Sequence, residues 1–341
     1  MSSVTLRTLA ATPGSAVGAI GSNPMSQLDA DMRHILDILQ SMNPKPIEEA
    51  SPAEARTRPT LATALNHLLK GKEAEPGVEM ELRMIPGPAG DIRARLYRPA
   101  GSNGGTLPAI LYFHGGGWVI GDFDNSDAIP RALAARCGAV VVAAHYRQGP
   151  EFKFPAAHED ARAAWAWMME HAGALGIEAG RTAIMGEDAG ANLAVEVAIA
   201  ARDSGGVRPR HLVLVSPMAS TDFTLASHLE NMESFPVGTP AIRWFYKHAT
   251  RNKKALADPR LDLVDRGDLN GLPPTTIILA GIDPLRSEGE LLADNLRRSG
   301  VWVDCTVYDG VTHGFFALGR VVNKAMFAQG QAFRNIKESL G

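Results

Sequence analysis

Gly186 and Gly190 bracket Asp188 in the segment "TAIMGEDAGANLA", where a short apolar run gives way to residues of helical character. The G-x-D-x-G spacing predicts a sharp turn from strand to helix, because bulkier flanking residues would clash where the backbone doubles back. Such a turn presents its middle side chain at the amino end of the new helix, where unpaired N–H groups and the helix dipole favour negative charge. With serine in the middle, the turn is a nucleophile elbow for acyl transfer. Aspartate leaves three readings open: a helix cap, a carboxylate nucleophile, or a serine site whose serine has been replaced.

Two residues further along could complete a proton-transfer set with position 188. Asp283 follows the apolar run "TTIILAG" in "IDPL", and His313 follows "VDCTVY" in "DGVTHGF", so each is expected in a loop at a strand's carboxyl end. Taken singly, an Asp-Pro pair is an ordinary turn and a lone loop histidine is common. In the order nucleophile, acid, histidine they match the α/β-hydrolase arrangement. There the imidazole takes the nucleophile's proton, while the acid fixes its tautomer and steadies the imidazolium. Upstream, "HGGGW" at 114–118 follows the run "AILYF". A flexible turn would explain glycines, but three of them directly after a core strand also let backbone N–H groups be aimed at an oxyanion. Gly116 and Gly117, together with the N–H of Ala189 at the helix start, are the candidate donors.

These residues need a rigid frame, and the chain pattern supplies one. Leu28, Met32, Ile35, Leu36 and Leu39 recur at helical spacing after Ser26. In "SPAEA", Ser51 at the cap, Pro52 at the first helical position and Glu54 three residues after the cap predict a second helix. From Gly77, "VEMELRMI" and "DIRARLYRP" alternate apolar and polar residues, the mark of antiparallel strands at a sheet edge. The runs "PAILYF", "AVVVAAHY", "TAIMG", "HLVLVS", "TTIILAG" and "WVDCTVY" follow, mostly separated by helical stretches at 156–172, 188–203 and 287–299. Buried parallel strands alternating with helices predict an α/β fold, a mostly parallel central sheet flanked by helices. Between Pro217 and Pro259 there is no convincing strand but several aromatic residues. The expected organisation is a helical cap in two parts, residues 1–50 and 217–258, over an α/β-hydrolase core of 51–216 and 259–341.

Composition narrows the partners. With 34 basic and 37 acidic residues the formal charge is -3, which offers no basic field for nucleic acid and no polybasic stretch for anionic lipid. A hydrophobic content of 45% fills a sizeable core. The amino-terminal segment has a single Arg7 and an apolar run broken by Pro13, which argues against a cleaved signal peptide, and no stretch reaches the length of a spanning helix. Cys137 and Cys305 lie far apart without C-x-x-C spacing, so reduced thiols in a cytoplasmic protein are expected. No metal or organic cofactor is implied.

The motifs "HGGGW", "HYRQGPEFKFPAAHEDA", "GEDAGANLA", "DPLRSEGE" and "HGF" occur in one order across about residues 77–320. On these the chain resembles the hormone-sensitive-lipase family of bacterial carboxylesterases. The resemblance implies Asp283 and His313 as catalytic acid and base, Gly116, Gly117 and Ala189 as oxyanion donors, and a small-molecule ester with a short to medium acyl chain as substrate. Trp118, Phe223 and Phe245 are candidate substrate-binding residues, with plain packing equally open for each aromatic of the cap. Gln148-Gly149 stands where the family usually has Leu-Ala, and Phe152 where histidine is common; Arg147, Glu159 and Asp160 of that segment are expected to pair. At position 188 the family's pattern calls for the catalytic serine.

Aspartate there changes the chemistry. A carboxylate leaves a tetrahedral adduct far more readily than an alkoxide does, so attack by Asp188 on an ester carbonyl would collapse back. The main expectation is a carboxylesterase-type scaffold in an inactivated or altered form. One alternative is an Asp-nucleophile hydrolase of epoxides or haloalkanes. It lacks a tryptophan after the nucleophile to hold a halide, and its one tyrosine acid within 217–258 would be Tyr246. The other alternative is a ligand-binding protein on a disabled hydrolase scaffold, although His313 is retained.

Overall fold

The structure is a computed structural model that describes residues 23–70, 75, 77–102 and 105–341. The segment read above for a signal peptide lies outside the described residues. Helices α1 (Ala30–Ser41), α2 (Pro52–Thr57) and α3 (Leu61–Leu69) precede the sheet. The first buries Met32, Ile35, Leu36 and Leu39 of the stripe expected from their spacing; Leu28 precedes it, because a separate turn ends there and Asp29 is the N-cap. At α2 the capping box is formed: Ser51 accepts from the Glu54 N–H, and the Glu54 carboxylate accepts from the Ser51 N–H. Thr60 and Thr63 form the equivalent box at α3.

Strands β1 (Val78–Ile85) and β2 (Ile92–Pro99) pair antiparallel along their whole length and form one edge. The core strands are β3 (Leu107–Phe113), β4 (Val140–Ala144), β5 (Ile177–Glu187), β6 (His211–Val215), β7 (Thr275–Ile282) and β8 (Val303–Thr312). They complete an eight-stranded sheet of order β1-β2-β4-β3-β5-β6-β7-β8, parallel from β4 to β8. All residues of β4, β6 and β7 are buried, which is why these strands read as unbroken apolar runs. Helices α4 (Ala128–Cys137), α5 (Ala156–Glu170), α6 (Ala189–Asp203), α9 (Arg286–Arg298) and α10 (Asn323–Leu340) flank the sheet. The insertion after β6 holds α7 (Ala226–Glu230) and α8 (Thr239–Ala249) and no strand.

Two apolar clusters fill the two faces. One joins α5 and α6 to the sheet and takes in Trp244, Phe245 and Tyr246 of α8; the other lies under α1, α4 and α10. On α6, Leu193, Val195, Val197 and Ile199 are buried, each contributing about 1.5–3 kcal/mol by leaving water. The same helix is keyed by a buried polar group, since Asn192 donates to the carbonyls of Met218 (3.0 Å) and Arg260 (2.9 Å) and its oxygen meets His158 at 2.9 Å. Arg147 binds the buried Asp160 carboxylate at 2.9 Å and Glu159 at 3.2 Å, the pairing expected for that segment.

The β5–α6 junction is tight enough to fix residue type. A Cβ on Gly186 would strike the carbonyl of Gly190, and one on Gly190 would strike the carbonyl of Phe113 at the end of β3. Both obstacles are backbone and cannot rotate aside. Gly190→Ala should therefore lower unfolding free energy by at least about 3 kcal/mol. Urea unfolding followed by tryptophan fluorescence measures this, and a midpoint within error of the parent would contradict it.

Candidate active site

Asp188 follows β5 with φ 54° and ψ -117°, a conformation few side chains tolerate. Its backbone is held on both sides: its N–H donates to the Val215 carbonyl (2.8 Å), and its carbonyl accepts from Met218 (3.2 Å). The turn so fixed points the carboxylate toward the loop after β3. There Gly116 and Gly117 donate their N–H groups to Asp188 Oδ2 at 2.7 and 3.0 Å. Ala189 is fully buried as the first residue of α6. Asp188 Oδ1 is buried without a hydrogen-bond partner.

The glycine loop is braced from behind. His114 Nδ1 lies 2.6 Å from the Gly115 carbonyl, and the Tyr146 hydroxyl donates to the His114 carbonyl at 2.9 Å. Phe245 lies against Gly117 so closely that any side chain on the glycine would overlap its ring.

Asp283 and His313, from the loop after β7 and the end of β8, come together as the sequence order requires. Nδ1 of His313 lies 2.9 Å from Asp283 Oδ2. That carboxylate is fully buried and also accepts from Ser216 Oγ (2.7 Å) and the Leu285 N–H (2.9 Å), so its position is over-determined. The imidazole is 14% exposed. Burial would depress its pKa, but the charge and hydrogen bond of Asp283, with Asp188 and Glu187 adding to them, outweigh burial and raise it to about 9. Burial also raises the Asp188 carboxyl, against the pull of His313 and of the two glycine N–H groups.

Glu187, which sequence reasoning passed over, is the second carboxyl of the site. It accepts from the Tyr112 hydroxyl at 2.6 Å, and burial pushes it up to about 7 despite that bond and the nearby His313. Tyr112, Glu187, Asp188 and His313 face one cavity of about 230 Å³. Its walls include Ala55, Arg56 and Arg58–Ala62 from the α2–α3 region, Asn125–Ser126 after the glycine loop, and Pro236–Val237 from the insertion. Trp118, Phe223 and Phe245 are not among its lining residues. Trp118 is buried beside His158 and Tyr246, and Phe223 sits edge-on to His228 and Tyr246 under Arg243. Tyr246 itself is buried and donates to the Ser220 carbonyl at 3.0 Å. The only signals for the missed wall residues were their places next to a capping box and a glycine loop.

Both cysteines are free, and burial raises the thiols to about 12 at Cys137 and about 11 at Cys305. Among the described residues no helix is long and apolar enough to cross a membrane.

Sheet order, elbow and histidine–carboxylate pair put the chain in the class of α/β hydrolases. A family model described as alpha/beta hydrolase fold matches residues 110–317, and the chain belongs to that family. It is 41% identical to the carboxylic ester hydrolase LipN of Mycobacterium tuberculosis over 258 residues, covering 72% of this chain and 68% of the relative. It is 32% identical to the ethyl acetate hydrolase of Pseudomonas putida over 261 residues, covering 76% and 82% of the two chains. Among solved structures, the Pyrobaculum calidifontis esterase superposes with a TM-score of 0.81 at 33% identity, over 91% of this chain and 98% of that one.

The charge pattern makes a titration prediction. A histidine raised from 6.5 to about 9 stabilises the fold fully below about pH 6.5 and loses that contribution as pH rises through about 9. Replacing Asp188 with serine removes one attracting anion, so the His313 pKa should fall in Asp188→Ser. NMR titration of the His313 ring protons in both proteins reads this, and a higher value in the serine form would refute the coupling.

Proposed function

We propose that this chain is a carboxylesterase-type scaffold for short to medium acyl esters in which Asp188 stands in the place of the nucleophilic serine and silences ester turnover. The observation that carries the reading is the Asp188 carboxylate accepting from both Gly116 and Gly117. Those N–H groups are the ones that would meet the oxyanion of a tetrahedral intermediate. An internal anion sits on them already. The residues 1–50, of which 1–22 lie outside the described residues, and 217–258 act as the cap in this reading, with Pro236 and Val237 lining the cavity.

With serine at position 188, the roles follow from the geometry. His313 takes the serine proton while Asp283 holds the ring with Nδ1 protonated and Nε2 free to act. The alkoxide attacks the ester carbonyl, and Gly116, Gly117 and Ala189 receive the developing charge. The alcohol leaves with the proton from His313, and a water deprotonated by the same ring hydrolyses the acyl-enzyme. The relatives named above as ester hydrolases support this assignment of substrate class. With aspartate, His313 finds a carboxylate with no proton to take, and the donors are engaged.

Nothing favours the Asp-nucleophile alternative at the level of its acid, since the Tyr246 hydroxyl is committed to Ser220. The test compares the parent, Asp188→Ser and Asp188→Ala on para-nitrophenyl butyrate. Members of such a set act as a unit, so supplying the missing one should raise kcat/KM by at least about 1,000-fold over the parent, with the alanine form as inert as the parent. An inert serine variant would overturn the reading. Parent activity on an epoxide or haloalkane that Asp188→Ala abolishes would replace it.

A further inference from the structure

Two arginines, Arg56 and Arg58, bracket the end of α2, and their fates differ. Arg56 is fully employed: Nε donates to the Val119 carbonyl (3.0 Å), and its Nη groups reach the Gly149 carbonyl (2.7 Å) and Glu151 (2.6 Å). It ties the first helices to the loops after β3 and β4. Arg58 lines the active-site cavity and has no hydrogen bond or ion pair with any described residue. Its Nε is buried without a partner, and its one charge neighbour is Glu48, acting through space.

A planar cation held in this way is built for an anion. Packing seals Nε from water without supplying an acceptor, which costs free energy, while the two Nη groups have no acceptor among the described residues and are the edge left for a ligand. The backbone around it is set in place. Pro59 and Thr60 line the same cavity, and Thr60 Oγ1 donates to Asn125 Oδ1 at 3.3 Å, tying the Arg58–Thr60 segment to the Asn125–Ser126 wall. Asn125 is in turn fixed by two bonds to Asp122 Oδ1, at 2.8 and 2.9 Å. The cavity therefore has a polar wall around a free guanidinium and an apolar wall of Leu39, Ile47, Leu61 and Val237. The carboxyl groups of Glu187 and Asp188 belong to the same cavity but are engaged by Tyr112, the glycine loop and His313.

We infer that Arg58 is a specificity residue that receives a carboxylate on the substrate, so that the favoured esters are anionic, with one carboxyl group free and one esterified. This rests on the ester-hydrolase reading above. A flat bidentate fork matches a carboxylate in a way that a lysine would not. The carboxylate could be carried by the acyl arm or by the alcohol arm of the ester, and the recognition chemistry is the same.

The experiment separates these cases and keeps the two readings apart. In the Asp188→Ser background, kcat/KM is measured for para-nitrophenyl monosuccinate against para-nitrophenyl butyrate, which differ by a carboxylate on the acyl arm. It is measured in a pH-stat for carboxymethyl butyrate against propyl butyrate, which differ on the alcohol arm. Arg58→Gln should cut the anionic-to-neutral ratio by about 10- to 100-fold in one pair, as loss of a charge-assisted hydrogen bond predicts. Arg58→Lys should restore part of it, and rising salt should shrink the ratio only when Arg58 is present. The pair that responds names the arm. Calorimetric binding of monomethyl succinate to the unaltered chain, and its weakening in Arg58→Gln, provides a readout that needs no turnover. If Asp188→Ser hydrolyses butyrate but neither ratio responds to Arg58, the inference falls and the esterase reading stands. If Asp188→Ser hydrolyses nothing, the esterase reading falls, and the binding measurement alone decides whether Arg58 holds a carboxylate.

Discussion

Everything in the site depends on one backbone turn that no side chain could soften. At Asp188 the chain leaves β5 with a positive φ and enters α6 directly, with Gly186, Gly190 and the Phe113 carbonyl in contact range of one another. The cost of that conformation is met by burial of α6 on the sheet and by the Asn192 anchor across to Met218 and Arg260. The turn is closed by backbone atoms of Gly190 and Phe113, which no change of rotamer can move aside.

Around that turn the charges are arranged as two carboxyl–partner pairs. Asp283 is buried and held by three partners, which lets it act as a fixed negative pole for His313. Glu187 accepts from the Tyr112 hydroxyl, and burial raises its carboxyl to about 7 against that bond and the nearby His313. Placing a third carboxyl at position 188 adds negative charge where two carboxyls already stand. The protonated imidazole and the glycine N–H groups are what make that tolerable.

The sequence made much of this legible, and the reasons are physical. The strands of a parallel sheet are buried on both faces, so β4, β6 and β7 stood out as unbroken apolar runs with nearly correct ends. The antiparallel edge showed as alternation in β1 and β2. Helix α4, with its alanines and an internal Pro130, has too weak a periodicity to be read, and the first residues of β5, "IEAGR", are too polar and glycine-bearing to look like a strand. Within the site, Asp283, His313 and the glycines could be found because loop order and turn geometry demand those residue types. Tyr112, Glu187 and Arg58 obey no spacing rule. They reach the cavity through tertiary contacts that bring residues more than seventy positions apart within bonding distance, as with Tyr112 and Glu187. The aromatic residues Trp118, Phe223 and Phe245 show the converse, since residue type alone does not tell a pocket wall from the packing behind it.

The contact between Asp188 and the glycine loop also makes the carboxylate a tethered ligand. Being part of the chain, it is present at an effective concentration that no dissolved anion can approach, and it has no translational freedom left to lose on binding. A free carboxylate or a tetrahedral mimic seeking the same two N–H groups must displace a competitor that never diffuses away. Occupancy of those two N–H groups is set by covalent connection instead of by supply.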